Sequence, residues 1–159
     1  MDQDNNNIEL INQTLNKFKF KFNGRVKFNE VDSYGIVHNL QYFYWLEWGR
    51  IEYLRKVLGR ENKKISLYEF PVISAHNEID YFNTAGFDDA YEVLTRISFI
   101  KNSSFGFENI ILLENGLLLA KASAVLVQVD IKTRQPERIS EIYRELIRKF
   151  EGEDVIFLD

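Results

Sequence analysis

The chain predicts an α+β fold, with an antiparallel sheet packed on one long helix. Three observations predict it. Several runs alternate apolar and polar residues or concentrate branched and aromatic ones, and two of the links between them are too short for parallel crossovers. One apolar stretch, 39–58, is free of proline and too long for a strand. The 159 residues, 45% hydrophobic and 14% aromatic, supply one domain's core and do not call for a second.

The elements follow in order. Residues 1–17 are rich in Asn, Asp and Gln, with "IELI" as the main apolar cluster, and predict a tail that is disordered or a short helix. From Phe18, "FKFKFNGRVKFNEVD" has the period of a half-buried strand. Asn23-Gly24 inside it is a hairpin signal, so the run is a hairpin or one strand beginning near Arg25. Asn39 to Leu58 is apolar over most of its helical circumference, and Gly59 is a natural stop. At about 1.5 Å per residue such a helix crosses a whole sheet. It needs a sheet that curls about it, or a second subunit closing over it. A polar connection, 60–70, leads to "FPVISAHNEIDYF", "AYEVLTRISFIKN", "SSFGFENIILLEN" and "LLLAKASAVLVQVDI", four strand-like runs. The amphipathic "SEIYRELIRKF" closes the fold, with Ser140 as N-cap and Arg148 and Lys149 at the end favoured by the helix dipole. The expected organisation is a tail at 1–17, one domain at 18–150 and a C-terminal tail at 151–159.

Composition removes several functions. No cysteine is present, which excludes disulfides, thiolate metal sites and a cysteine nucleophile, and fits a cytoplasmic protein. The first residues, "MDQDNNNIEL", lack the basic and apolar regions of a signal peptide. Glu47, Arg50, Glu52, Arg55 and Lys56 interrupt the richest apolar stretch, so no membrane span is expected. A net charge of −4 gives no overall attraction to nucleic acid or anionic lipid. Two isolated histidines, without a carboxylate cluster at ligand spacing, suggest no metal.

The chemistry concentrates at "EVDSYGIVHNLQYFYWLEWGRIEYL". Asp32 falls where the first strand is expected to end, and the helix begins a few residues later, near Val37 to Asn39. The first N–H groups of a helix have no internal acceptor and carry partial positive charge, so a carbonyl docked there is polarised. A carboxylate facing them can attack that carbonyl or activate a water to do so. Gly35 permits a tight turn and close substrate approach. The alternative is that Asp32 only forms a turn or cap, although Asn39 or Ser33 is better placed for the N-cap. His38 reads as a group ordering water or touching an acyl chain, or as a plain helix-start residue. His76 reads as structural. Tyr42, Trp45 and Trp48 line a pocket or belong to the helix core. Glu47, in so apolar a segment, needs a partner or a polar cavity, either as an interface ion pair or as a second catalytic acid.

The segment "VKFNEVDSYGIVHNLQYFYWLEWGRIEYL" resembles the hotdog-fold acyl-CoA thioesterases of the 4-hydroxybenzoyl-CoA thioesterase type. That family's signature is a strand ending in Asp, a turn with Gly, a small apolar pair, and Asn, His or Tyr opening the long helix. "EIDYFNTAGFDDAYEVLTRI", "NSSFGFENII" and "LLAKASAVLVQVDIKTRQPERI" continue the resemblance in the right order, so that it spans roughly 25–139.

The resemblance implies a hotdog fold, an antiparallel sheet wrapped around one long central helix. It implies Asp32 as catalytic nucleophile or general base, and the Asn39 N–H as the group polarising the thioester carbonyl. It implies substrate contacts at Gly35, Val37, His38, Tyr42, Lys101, Ser103 and Ser104, with Lys101, Arg134 or Arg138 available to a CoA phosphate. No cofactor is expected, since CoA is part of the substrate, and a homodimer or homotetramer is. A hotdog module that binds thioesters without cleaving them, and a hydratase or dehydratase on the same fold, are the competing expectations.

Overall fold

The computed structural model describes residues 13–61, 63, 64, 66 and 68–158. Its elements are β1 (Phe20–Arg25), a 3-10 turn (Phe28–Glu30), α1 (Asn39–Val57), β2 (Val72–Tyr81), β3 (Ala90–Ile100), β4 (Ser104–Leu113), β5 (Leu118–Gln128), α2 (Glu141–Glu151), a second 3-10 turn (Gly152–Asp154) and β6 (Ile156–Phe157). The strands form one six-stranded sheet in the order β1-β3-β4-β5-β2, with β6 added beside β3. Every pairing is antiparallel except β3 with β6.

Alternation decides which side chains meet the helix. Tyr91, Val93, Thr95 and Ile97 of β3 are all buried, and a bulge at Ser98 resets the pattern so that Ile100 is buried as well. Two apolar clusters result. One gathers Tyr42, Trp45 and Leu46 from the first half of α1 with Val26, Val37, Ala85, Tyr91 and Val93. The other gathers Tyr53 and Val57 from its second half with Ile97, Phe105, Phe107, Ile139 and Ile147. Between them Gly49 lies against β3, where an added Cβ would stand 2.9 Å from Val93 Cγ1. A side chain there would hold the helix off the sheet.

Two expectations are corrected here. Asn23-Gly24 makes no hairpin, and the strand does not begin near Arg25. β1 runs through both residues and ends at Arg25, with Gly24 opposite Tyr91. The Tyr91 ring occupies the space of a Gly24 side chain, whose Cβ would fall 2.2 Å from Tyr91 Cζ. The glycine therefore serves a close approach and no turn. Secondly, neither Asn39 nor Ser33 caps α1; the N-cap is His38. The sheet does not cover α1 all round within one chain: Leu40, Tyr44 and Trp48 are exposed on one stripe, as the alternative of a second subunit closing over the helix requires.

The remaining ends are explicit. Gly59 takes φ 61° and donates to the Lys56 carbonyl while Arg60 donates to that of Arg55, stopping α1. Ser140 caps α2 through its hydroxyl. Of the expected N-terminal tail, residues 13–16 are helical and 1–12 lie outside the described residues. The 151–159 stretch, read from sequence as a tail, carries the second 3-10 turn and β6.

Candidate active site

The site is built on a loop that folds back on itself between β1 and α1. Val31 and Val37 form an isolated bridge, Asp32 N–H donates to the Ile36 carbonyl at 2.8 Å, and Gly35 N–H donates to the Asp32 carbonyl at 3.0 Å. Asp32 Oδ1 accepts from the Tyr34 N–H at 2.8 Å. Among the described residues, no group donates to the other oxygen, Oδ2. Gly35 closes the turn at φ 75°, a left-handed conformation costly for a residue with a Cβ. The loop is stitched to the link between β2 and β3, where Val37 N–H donates to the Ala85 carbonyl at 2.8 Å and Ile36 bridges Gly86.

The helix start determines which donors remain. His38 is extended (φ −62°, ψ 136°) and its Nδ1 accepts from the Leu40 N–H at 3.2 Å. Its carbonyl accepts from the Gln41 N–H at 2.9 Å, and its own N–H donates to the Glu30 carbonyl at 2.9 Å. Asn39, first in the helix, is left: among the described residues no group accepts from its N–H. Tyr81, at the end of β2, donates its hydroxyl to the Asn39 carbonyl at 3.1 Å and holds the helix start from the other side. A helix N–H with no protein acceptor among the described residues thus ends the same short loop that carries a carboxylate with one oxygen uncommitted to protein. That pair can polarise a carbonyl and deliver a nucleophile to it.

The other residues expected at the site divide. Gly35 and His38 are exposed on the loop, the latter as a cap. Val37 is buried in the first apolar cluster and packs against it. Tyr42, 3% exposed, is core: its ring lies 5.0 Å from Trp45 and 5.2 Å from Tyr81, and burial raises its hydroxyl pKa. Lys101, Ser103 and Ser104 lie beyond the last residue of β3, whereas the Asp32 loop is held just before its first. The eleven residues of β3 separate them by roughly 30 Å within one chain. Their turn is tied down by Lys101 N–H to the Ser104 carbonyl and by the Arg144 guanidinium on the Lys101 carbonyl. Arg134 stands at φ 58° in a loop closed on Asp130, and Arg138 binds Asn102 and Glu141. His76 is exposed on β2, 3.8 Å from Glu78.

Glu47 is not buried. It is exposed on a groove of about 380 Å³ between α1 and β2, with Phe43, Arg50, Ile51, Ser74 and Asn77. Burial lowers the Arg50 pKa and the Glu47 charge opposes that shift, so the arginine one turn along faces the carboxylate electrostatically. Sequence reasoning missed Glu30, which lies 8% exposed beneath the loop. Its only local signal is a carboxylate two residues before Asp32. Among the described residues no group of three or more His, Cys, Asp or Glu could hold a metal ion, and no helix is long and apolar enough to cross a membrane.

The six-stranded antiparallel sheet on a central helix is the hotdog fold of thioester hydrolases. The model of the thioesterase-like superfamily matches residues 26–147, and the chain belongs to that family. It is 30% identical over 117 residues to the acyl-CoA thioesterase YbgC of Haemophilus influenzae, covering 74% of this chain and 85% of that protein. Among solved structures it resembles a thioesterase from Thermus thermophilus complexed with coenzyme A and Zn, with TM-score 0.76 and 28% identity over 86% of this chain and 97% of that one. A 1,4-dihydroxy-2-naphthoyl-CoA thioesterase from Synechocystis shares the fold at TM-score 0.71 and 21% identity, over 80% and 94% of the two chains.

Proposed function

We propose that the protein hydrolyses an acyl-CoA or acyl-carrier thioester, using Asp32 and the Asn39 N–H. One observation carries this reading: the free helix N–H and the half-committed carboxylate belong to one loop. The thioester carbonyl oxygen docks on the Asn39 N–H. Asp32 either attacks the carbonyl carbon itself or takes a proton from a water that does. The oxyanion so formed is stabilised by the N–H, the C–S bond breaks, and the thiolate leaves and is protonated. Where Asp32 attacks, water then cleaves the resulting anhydride. No cofactor enters this scheme, since CoA leaves as product.

The assembly belongs to the same proposal. β2 ends the sheet, and among the described residues no strand pairs with the outer edge of its ten residues. Pairing of two β2 edges yields a homodimer, which a second interface extends to a tetramer. It also closes the groove beside α1, and offers each Asp32 loop a turn such as Lys101–Ser104 from another subunit.

Thiol release from short, long and aromatic acyl-CoAs tests the reading, with wild type and Asp32→Asn compared at equal oligomeric state. The variant is expected to lose about 10²- to 10⁴-fold in kcat, the usual contribution of a positioned base. Equal rates in both proteins would remove Asp32 from the mechanism.

A further inference from the structure

Glu30 ends the 3-10 turn before the Asp32 loop, and its contacts reach both sides of that loop. Oε2 accepts from the Lys27 N–H at 2.8 Å, which closes the turn leading in. Oε1 accepts from Trp45 Nε1 at 3.2 Å, well inside α1. The Glu30 carbonyl accepts from the His38 N–H at 2.9 Å, immediately before Asn39. Trp45 is itself fixed, 2% exposed and stacked on Tyr91 with centroids 3.9 Å apart. Both strands of the loop and the first turns of the helix are therefore referenced to one buried residue.

We infer that Glu30 is a positioning residue of the thioesterase site, setting the reach from Asp32 to the Asn39 N–H through its bond to Trp45. This rests on the reading proposed above. A buried carboxylate is a costly way to fill space, and it is retained where its geometry matters. Here each oxygen meets an N–H at a fixed direction. A glutamine of the same size keeps one bond and turns its NH₂ toward the other donor. The packing then survives while the loop loses an anchor. A displacement of about 1 Å between reacting groups is enough to cost about 10²-fold in rate.

The test is steady-state thiol release by E30Q, W45F and their combination, in wild-type and D32N backgrounds, with elution volume and melting temperature recorded. E30Q and W45F are each expected to lower kcat about 10- to 100-fold with KM within about threefold. The double variant is expected to fall no further than the worse single one, because both break the same link from Lys27 through residue 30 to Trp45. In the D32N background, E30Q is expected to change the residual rate by less than about twofold, since it acts through Asp32. A purely structural role predicts losses that persist without Asp32. Wild-type kcat in folded E30Q and W45F overturns the inference, as does an undiminished loss in D32N. If E30Q fails to fold, W45F decides through its comparison in the D32N background, which separates loss of the indole donor from the space a smaller ring leaves against Tyr91. Absence of thiol release from the wild type removes the thioesterase reading and this inference with it. Release that needs Asp32 but ignores Glu30 and Trp45 removes this inference alone.

Discussion

At Glu151 the C-terminal helix sets a carboxylate in the core. The side chain is fully buried; Oε1 accepts from the Tyr53 hydroxyl at 2.5 Å and the Ile97 N–H at 3.0 Å, while Oε2 has no partner among the described residues. Burial raises its pKa above the ordinary 4.5, against the opposing pull of those hydrogen bonds and of Arg96 and Lys19. The folded state therefore holds the proton to higher pH than the unfolded chain does. Its contribution to stability is fully present below about 4.5 and is lost as pH rises through the folded value. Glu151→Gln is expected to match the wild type below that point and to become the more stable protein as pH rises, by urea denaturation at a series of pH values. A difference that does not change with pH would refute this. At Gly35 the left-handed turn implies strain of about 1–3 kcal/mol for Gly35→Val, which displaces the Asp32 loop. Thiol release is expected to fall at least about tenfold in a folded variant, while full activity would show that the turn is not needed. The turn formed by Asp32 and Gly35 was legible in the sequence, because turn chemistry is local. Glu30 was not, because its partner Trp45 lies fifteen residues away and only the packed helix brings them together.

Among the elements, α1 shows how one position sets a helix against a sheet. Gly→Ala in an exposed helix stabilises by up to about 1 kcal/mol, through the lower entropy of the unfolded chain. At Gly49 the added methyl would meet Val93 Cγ1 at 2.9 Å and Thr95 Oγ1 at 3.0 Å, both on a buried strand. Overpacking of this kind costs about 1–3 kcal/mol, so Gly49→Ala is expected to destabilise despite its better propensity. Its denaturation midpoint tests the sign directly. Elements with a clear period were legible: β2 to β5, α1 and α2 fall where alternation and apolar pattern put them. β6 was not, since two residues carry no period and its parallel pairing with Phe99 and Ile100 depends on where α2 delivers the chain. The Asn23-Gly24 pair misled because its turn propensity is weaker than the demand of the Tyr91 ring for the space above Gly24.

For the whole molecule, the two apolar clusters divide the labour. The first supports the Asp32 loop, and the second locks α2 and the C-terminal strand to the far half of α1. The exposed stripe of Leu40, Tyr44 and Trp48 and the outer edge of β2 are the surfaces on which the proposed assembly of 18.8 kDa chains rests. Sedimentation is expected to give at least twice that mass, and a monomer retaining full thiol release would contradict the assembly proposed. The outer edge of β3 is shared: β1 pairs with Ala90 to Thr95, β6 with Phe99 and Ile100, and the Glu151 carboxylate accepts from Ile97 N–H in the gap between them. β6 and Glu151 follow every other strand in the chain. During synthesis on the ribosome, then, β1 can cover the first half of this edge early, while the part from Ile97 to Ile100 has no partner on that side until these last residues emerge. A chain lacking these last residues would present unpaired strand there.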